Sequence, residues 1–227
     1  TTTTTVTTTV APTTTTTTPA TPATTSTTAT TVAPSDPPIP VATPGPQPGS
    51  MWWVVGVPAD DVLNVRAGPG ATEPVVSTLD ADGGMVVVTG DAMLVASNPW
   101  WEIDLGGDRA WVNAQYLGAL ADTWDITSWL VDRAGAIPVS ESMEDLVAQV
   151  VALRGGGEAT VISVGLSADG LLAEMAIDLF TASDDSVRGE RLRVFGQRMA
   201  VGDPFGLHSV EATSICWRGV DQMGLCV

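Results

Sequence analysis

The sequence contains no lysine and few basic residues of any kind. Its nine cations are all arginines, scattered from Arg66 to Arg218, against 26 acidic residues, and the formal net charge is −17. Nucleic acids and anionic lipid surfaces are bound mainly by clustered cations. We therefore expect neither nucleic acid nor an anionic membrane surface as a partner.

Histidine and cysteine are almost absent, with His208 as the single imidazole and Cys216 and Cys226 as the two thiols. This leaves no Cys/His nucleophile pair of the kind that peptidases use. We expect Cys216 and Cys226 to form a disulfide, as is usual in an exported protein. The alternative is a zinc site with His208 as third ligand, although the spacing matches no familiar zinc pattern. We expect no metal and no cofactor.

Long apolar runs are also missing, since no stretch of 18 or more apolar residues occurs. The chain is therefore predicted to contain no membrane-spanning helix. It begins at Thr1, which leaves room for a signal peptide or an anchor upstream. The cysteine pair, together with the Thr/Pro-rich segment at residues 1–50, predicts an exported protein at the cell surface or outside the cell.

Residues 1–50 are dominated by threonine and proline, with 22 Thr, 10 Pro and a single charge, Asp36. Such a segment cannot bury enough apolar surface to offset the entropy of ordering its backbone. We predict a disordered Thr/Pro-rich linker, a stalk that is often glycosylated in exported proteins. The alternative is that this segment only keeps the protein soluble.

Residues 51–120 change to short apolar runs separated by Gly, Pro, Asn and Asp, the pattern of β-strands and turns. So many short strands in about 70 residues favour a small closed barrel, which leaves few exposed edges. Strands are predicted at 51–57, 63–66, 74–79, 85–89, 100–105 and 109–112, with a longer loop at Gly90 to Asn98.

Within this stretch, Leu63-Asn64-Val65-Arg66-Ala67-Gly68-Pro69-Gly70 resembles the LNVRxGPG signature of bacterial SH3 (SH3b) domains. Later matches follow in the family's order, and together they cover residues ~53–119. They are Val75-Val76, Trp101-Glu102-Ile103, Trp111-Val112 and Tyr116-Leu117. The sequence departs from the family at Ala110, where Gly is usual, and in the longer segment Gly90 to Asn98.

The resemblance implies non-catalytic recognition of cell-wall peptide (peptidoglycan) or of another envelope protein. Leu63 and Val65 should face the barrel core, because strand residues alternate between faces. The candidate ligand-binding residues are Asn64, Arg66, Trp101, Trp111 and Tyr116. Alternatively, the tryptophans belong to the core, and Arg66 pairs with Asp60 or Asp61.

Residues 121–227 are predicted to form an α+β domain, with a helix packed on a four-stranded antiparallel sheet. Ser140 is the expected N-cap of the helix, Gly155-Gly156-Gly157 its end, and the apolar stripe lies between them. The stripe comprises Met143, Leu146, Val147, Val150 and Val151.

Strands of this domain are predicted at 159–166, 171–181, 191–195 and 207–216, and residues 124–131 fit either a strand or a helix. In the second strand, Met175, Ile177 and Leu179 should be buried, with Glu174, Ala176 and Asp178 facing water. The ending around Cys216 and Cys226 is similar to an uncharacterised domain of exported proteins from GC-rich bacteria, which implies no activity.

Carboxylates are the remaining candidates for catalysis, namely Asp184, Asp185, Glu190 and Glu211. A suitably spaced pair of carboxylates could hydrolyse glycosidic bonds, but these acids lie in or beside turns. Asp184 and Asp185 could also contribute to a Ca²⁺ site, but the ligand spacing of an EF-hand is absent. Ser209 follows His208 in a strand, so the two side chains should point to opposite faces.

We therefore predict a binding or adaptor protein and no enzyme. The alternatives are a wall-targeted hydrolase and a stalked structural protein without a specific ligand.

Overall fold

The predicted stalk lies mostly outside the residues that the computed structural model describes, which are 45–181 and 185–227. All of these fall within the compact unit Pro37–Val227. The last six stalk residues pack against residues 88–92 of the following region. Pro46 is buried, and the amide of Gly49 donates to the carbonyl of Val88 at 2.8 Å. The prediction for residues 1–44 lies outside the described residues.

The first part of the fold is a run of antiparallel strands that matches the predicted pattern. Its elements are β1 (Met51–Val54), β2 (Val62–Arg66), β3 (Val75–Asp80), β4 (Met85–Val95), β5 (Asn98–Leu105), β6 (Asp108–Asn113), one 3-10 turn (Ala114–Tyr116) and β7 (Leu117–Asp125). The spatial order is β3-β2-β6-β5-β4-β1-β7. We call residues 51–120 the SH3-like region.

Alternation along β2 fixes which side chains face the core of this region. Leu63 and Val65 are buried, whereas Asn64 is exposed and Arg66 half-buried. The same core holds Val54, Val88, Ile103 and Val112, none of which is more than 1% exposed. The prediction from the period-2 pattern is therefore confirmed, and it leaves Asn64 and Arg66 on the outer side.

Residues 90–98, predicted as a loop, form the tip of the hairpin between β4 and β5: residues 90–95 belong to β4, and Asn98 begins β5. Strands β4 and β5 pair on both sides of a bulge between Val88 and Ala92. The turn at the tip is made by Ala96 and Ser97, with φ of 50° and 67°. Two successive residues of positive φ match the twist of a tight hairpin, although neither is glycine, the residue whose presence would have predicted a turn here.

The second part of the fold, residues 121–227, extends the same sheet. Its elements are α1 (Thr127–Ala134), β8 (Val139–Ser140), α2 (Met143–Arg154), β9 (Glu158–Leu166), β10 (Leu172–Phe180), β11 (Val187–Gln197) and β12 (Phe205–Cys216). The strand order β7-β12-β11-β10-β9 is antiparallel throughout, with β8 on β12. This region is largely sheet, so the predicted α+β class overstates its helical share.

Helix α2 covers one face of the sheet and follows the predicted apolar stripe. Leu146 and Val150 are fully buried beside Ile177 and Leu192 of the strands. The helix ends at Gly155 in a left-handed conformation, φ 109°, as expected. The undecided segment 124–131 divides between the end of β7 and α1.

The N-cap of α2 is Ser142 and not Ser140. The hydroxyl of Ser142 accepts a hydrogen bond from the Asp145 amide at 3.1 Å, in the usual capping geometry. Ser140 lies in β8, where its hydroxyl accepts from the side chain of Gln149. Both serines precede the apolar stripe at plausible distances, so composition alone does not separate them.

The opposite face of β10 is buried, which contradicts the predicted wet face. Ala176 and Asp178 are both 0% exposed, and Ala176 belongs to the core of the SH3-like region. Strand β7 pairs with β1 on one side and with β12 on the other, so the predicted boundary at residue 120 falls inside a shared strand. The barrel therefore rests on the sheet face that α2 leaves open.

Among residues 45–181 and 185–227, none of the helices has the length and apolar character needed to cross a membrane.

Candidate functional site

A groove of about 300 Å³ lies on the outer side of β2 and unites three of the five predicted ligand-binding residues. Asn64, Arg66 and Tyr116 all line it. Its remaining wall is formed by Gly56, Val57, Pro58, Asp61, Val62, Leu63, Ala71, Trp100 and Asn113. The groove thus offers an amide, a guanidinium, a phenol and an indole to one ligand.

Trp101 and Trp111 are not among the residues that line this groove. The ring of Trp101 packs edge-on against Trp52, with centroids 4.7 Å apart, and Trp111 is half-buried. The groove instead receives Trp100, which is 5% exposed. Sequence reasoning missed Trp100 because the family pattern draws attention to its neighbour.

Arg66 holds the neighbouring loop in place. One guanidinium nitrogen, Nη1, donates to the carbonyl of Glu73 at 2.7 Å, and the Ala67 amide donates to Pro74 at 2.9 Å. The described residues give Arg66 no ion pair with Asp60 or Asp61, contrary to the predicted alternative. A guanidinium has five N–H donors, so this contact engages only part of the donor capacity of Arg66, which lines the groove.

Tyr116 is placed by a short turn whose ends are both fixed. Asn113 accepts the Gln115 amide at 3.0 Å and thereby caps the 3-10 turn, while the Tyr116 carbonyl accepts the Val55 amide at 2.9 Å. The Tyr116 side chain is 40% exposed. Its backbone is rigidly held, and its ring is open to a ligand.

A second pocket, of about 480 Å³, begins where the groove ends. Gly56 and Tyr116 line both, so the two sites are adjacent. We call this second site the junction pocket, and its other residues come from the C-terminal region. They are Glu158, Thr160, Phe180, Thr181, Val187, Arg188 and Trp217.

Arg188 is the principal cation of the junction pocket. Its guanidinium carbon lies 4.7 Å from the ring centroid of Phe180 and 4.9 Å from that of Trp217. Nη1 donates to the Leu117 carbonyl at 3.2 Å. Burial lowers the pKa of Arg188 below its usual value, while the charge of Asp178 acts in the opposite direction.

A buried ion pair beneath Gly56 supports both sites. Arg191 contacts Asp178 through Nε at 2.8 Å and Nη2 at 3.0 Å, and Nη2 also donates to the Val54 carbonyl at 2.7 Å. Asp178 in turn accepts the Gly56 amide at 2.8 Å. Sequence reasoning missed this pair, although an aspartate within the apolar run Ala176-Ile177-Asp178-Leu179-Phe180 was a usable signal.

The candidate catalytic acids do not converge. Asp184 lies outside the described residues, and Asp185 pairs with Arg218 at the surface. Glu190 pairs with Arg154 in a depression beside the glycines that end α2, whereas Glu211 lines a different depression, on the sheet face.

His208 and Ser209 both line the depression that holds Glu211, contrary to the prediction of opposite faces. Strand β12 bulges at His208, since Phe195 pairs with Ser209 and Gly196 with Leu207, and a bulge interrupts the alternation. No hydrogen bond joins the two side chains among the described residues. Cys216 and Cys226 form a disulfide, so their thiolates are not available to the zinc site considered as an alternative.

Residues 61–118 match the family model of the bacterial SH3 domain, which confirms the resemblance carried by Leu63 to Gly70. Bacterial SH3 domains are commonly cell-wall binding modules. The comparisons with curated proteins and with solved structures found no match.

Proposed function

We propose that this protein is an exported cell-envelope binding protein whose bacterial SH3 module recognises cell-wall peptide. The observation that carries the proposal is the convergence of Asn64, Arg66 and Tyr116 in one groove of the module. A partner protein of the envelope that presents a similar extended peptide is the alternative ligand.

The chemistry of the groove suits a peptide. Asn64 offers both a donor and an acceptor to a backbone, Arg66 offers N–H donors to a carbonyl or carboxylate, and the ring of Tyr116 offers apolar area with little rotamer entropy to lose. The largely buried Trp100 adds an indole to the groove wall. The groove thus combines polar groups with apolar wall residues such as Val57 and Pro58, and convergent polar groups in a cleft are typical of ligand sites.

Export is supported by the disulfide between Cys216 and Cys226, because such bonds persist in oxidising compartments. Cys216 is fully buried in the core shared with the SH3-like region. We place the protein at the cell surface or outside the cell, with the Thr/Pro-rich linker as its tether.

We propose that binding is not coupled to catalysis. The arrangement of acids supports this, because Glu190 and Glu211 line separate depressions and Glu190 is neutralised by Arg154. A wall-lysis assay on the whole protein tests the point. Turnover that disappears in Glu211→Gln or His208→Ala would replace this proposal by the wall-targeted hydrolase.

Cosedimentation of the whole protein with purified peptidoglycan tests the binding function. We expect retention at moderate salt, and a loss of roughly ten-fold in affinity for Tyr116→Ala and for Asn64→Ala, which remove an aromatic anchor and a hydrogen-bonding amide. Trp129→Ala is the matched control, because Trp129 is a similarly exposed aromatic, at 45%, on α1.

Two outcomes would contradict the function. One is a wild-type protein that stays in the supernatant at every salt concentration. The other is an equal loss of retention in Tyr116→Ala and Trp129→Ala, which would point to nonspecific aromatic adhesion. Retention by a purified envelope protein in place of peptidoglycan would select the alternative ligand.

A further inference from the structure

We propose that the junction pocket receives a carboxylate of the same peptide that occupies the SH3 groove, with Arg188 as the residue that binds it. The C-terminal region would then complete the ligand site and not merely support it. This inference rests on the function proposed above and adds to it a second subsite and the chemical group that this subsite selects.

Continuity of the two sites is the first observation. The groove and the junction pocket share Gly56 and Tyr116 as wall residues. Gly56 lies at φ 67°, and a Cβ there would come within 3.0 Å of the Phe180 ring. Because Gly56 has no side chain, the wall at this point does not project into the space beside Phe180. In the proposed binding mode, one extended peptide runs from Asn64 past Tyr116 towards Arg188.

The strand geometry around Arg188 is the second observation. Val187 pairs with Cys216 and Gly189 with Ile215, so Arg188 is the extra residue of a β-bulge in β11. Bulges redirect a side chain and are common beside functional sites. Gly189 permits the close approach of β10 at this point, because a Cβ would lie 2.3 Å from the Leu179 carbonyl.

The surroundings of Arg188 are the third observation. The rings of Phe180 and Trp217 make cation–π contacts with the guanidinium, and neither ring provides an oxygen acceptor for its N–H groups. The Leu117 carbonyl is its one hydrogen-bond acceptor among the described residues, and a guanidinium has five N–H donors. Counted over residues 45–181 and 185–227, the guanidinium therefore has donors without an acceptor, which matches a carboxylate that accepts two parallel hydrogen bonds.

Electrostatics of the pocket agree with this occupant. The guanidinium is partly desolvated, as the lowered pKa indicates, and a bound anion would restore the interactions that burial removes. Glu158 also lines the pocket, but its side chain is exposed and therefore well screened by water. Arg188 consequently sets the local preference for an anion in a protein of net charge −17.

Titrations with matched acid and amide ligands test the inference. The probes are a soluble peptidoglycan stem peptide with a free C-terminal carboxylate, the same peptide as its C-terminal amide, N-acetylalanine, which is too short to span the groove, and inorganic phosphate. The readouts are the dissociation constant and the NMR shift of the Trp217 indole N–H in the whole protein.

We expect the acid to bind roughly 10- to 100-fold more tightly than the amide, the range for a charge-assisted hydrogen-bonded pair. Arg188→Gln should abolish this difference by weakening the binding of the acid far more than the binding of the amide. Arg198→Gln is the matched control, because Arg198 also lies over an aromatic ring, Phe205 at 4.7 Å, and donates to a backbone carbonyl, that of Gly170. The control should retain the preference for the acid.

Failures of the two proposals are distinguishable. Equal binding of acid and amide by the wild type would overturn the carboxylate subsite and leave the wall-binding function standing. A Trp217 shift with N-acetylalanine, without binding of either stem peptide, would overturn the shared ligand and contradict the function as well. Equal affinity for inorganic phosphate would show a general anion site and overturn the assignment to a carboxylate. An equal loss of acid preference in Arg198→Gln would assign the effect to net charge and also overturn it.

Discussion

The two halves of this sheet differ in how their polar residues are used. In β2 of the SH3-like region, Asn64 and Arg66 alternate with buried residues and face outward. In β10 of the C-terminal region, Asp178 occupies the equivalent alternating position and is completely buried. The same alternation therefore leaves polar side chains exposed in β2 and buries one in β10. The second face of β2 borders solvent, whereas the second face of β10 is covered by the SH3-like region.

The buried pair Asp178–Arg191 gives the largest expected effect. Asp178→Ala leaves a desolvated guanidinium without its partner, and we expect the free energy of unfolding to fall by about 3–5 kcal/mol in urea titrations. Glu174→Ala is the matched control on the same strand face, since Glu174 pairs with Arg193 in a half-exposed position. Its loss should stay below about 1 kcal/mol.

A result below about 1 kcal/mol for both variants would break the comparison, because Asp178 would then behave as a surface residue. If Asp178→Ala does not fold, Asp178→Asn gives the same test with less disruption. The asparagine keeps an acceptor for the Gly56 amide, but it loses the charge and presents an NH2 group in place of one carboxylate oxygen that accepts from Arg191.

Removal of the disulfide is the next perturbation in size. The double variant Cys216→Ala/Cys226→Ala should lose about 3 kcal/mol, the loop-entropy estimate for a separation of 10 residues. The bond ties the last residues to β12, where Cys216 is buried in the shared core. Unfolding with and without a reductant measures the loss, and an unchanged midpoint under reducing conditions would contradict a stabilising role.

The two serines before α2 give a smaller, sharper test. Ser142→Ala should lower the free energy of unfolding by about 1 kcal/mol, because it removes the hydroxyl that accepts the Asp145 amide. Ser140→Ala removes a hydroxyl that bonds only an exposed side chain and should have little effect. Thermal unfolding of both variants measures the two effects. A larger loss of stability for Ser140→Ala than for Ser142→Ala would show that Ser140, and not Ser142, caps the helix.

Acid titration should reveal the smallest effect, at the start of α1. Hydrogen bonds from Thr127 hold the pKa of Asp125 below its usual value. A depressed pKa stabilises the folded state above the unfolded pKa near 4, and this contribution disappears as pH falls through the folded value. Asp125→Asn should therefore be slightly destabilising at pH 7 and neutral at pH 2, by less than about 0.5 kcal/mol because the group is exposed.

The SH3-like region and most of the strands could be predicted from the sequence, because the patterns that indicate them lie within short stretches of the chain. The run Leu63 to Gly70 contains its own turn and alternation, and the apolar stripe of α2 repeats every three to four residues. These patterns need no knowledge of distant contacts. The family resemblance added five candidate ligand-binding residues, of which Asn64, Arg66 and Tyr116 line one groove.

The junction between the halves could not be predicted in the same way. Asp178 meets Gly56 across 122 residues of sequence, and Arg191 meets Val54 across 137. Arg188 enters its pocket only through a bulge, which shifts register without a composition signal. Long-range contacts and register shifts are therefore the features that a single sequence leaves open.

Hydrogen exchange of the whole protein, with and without a soluble peptidoglycan fragment, tests the central claim most directly. We expect slower exchange in segments 61–66 and 113–118, which contain groove-lining residues, and at 187–189 around Arg188. Unchanged exchange in the groove, with protection confined to residues 205–211 at the open sheet face, would contradict it.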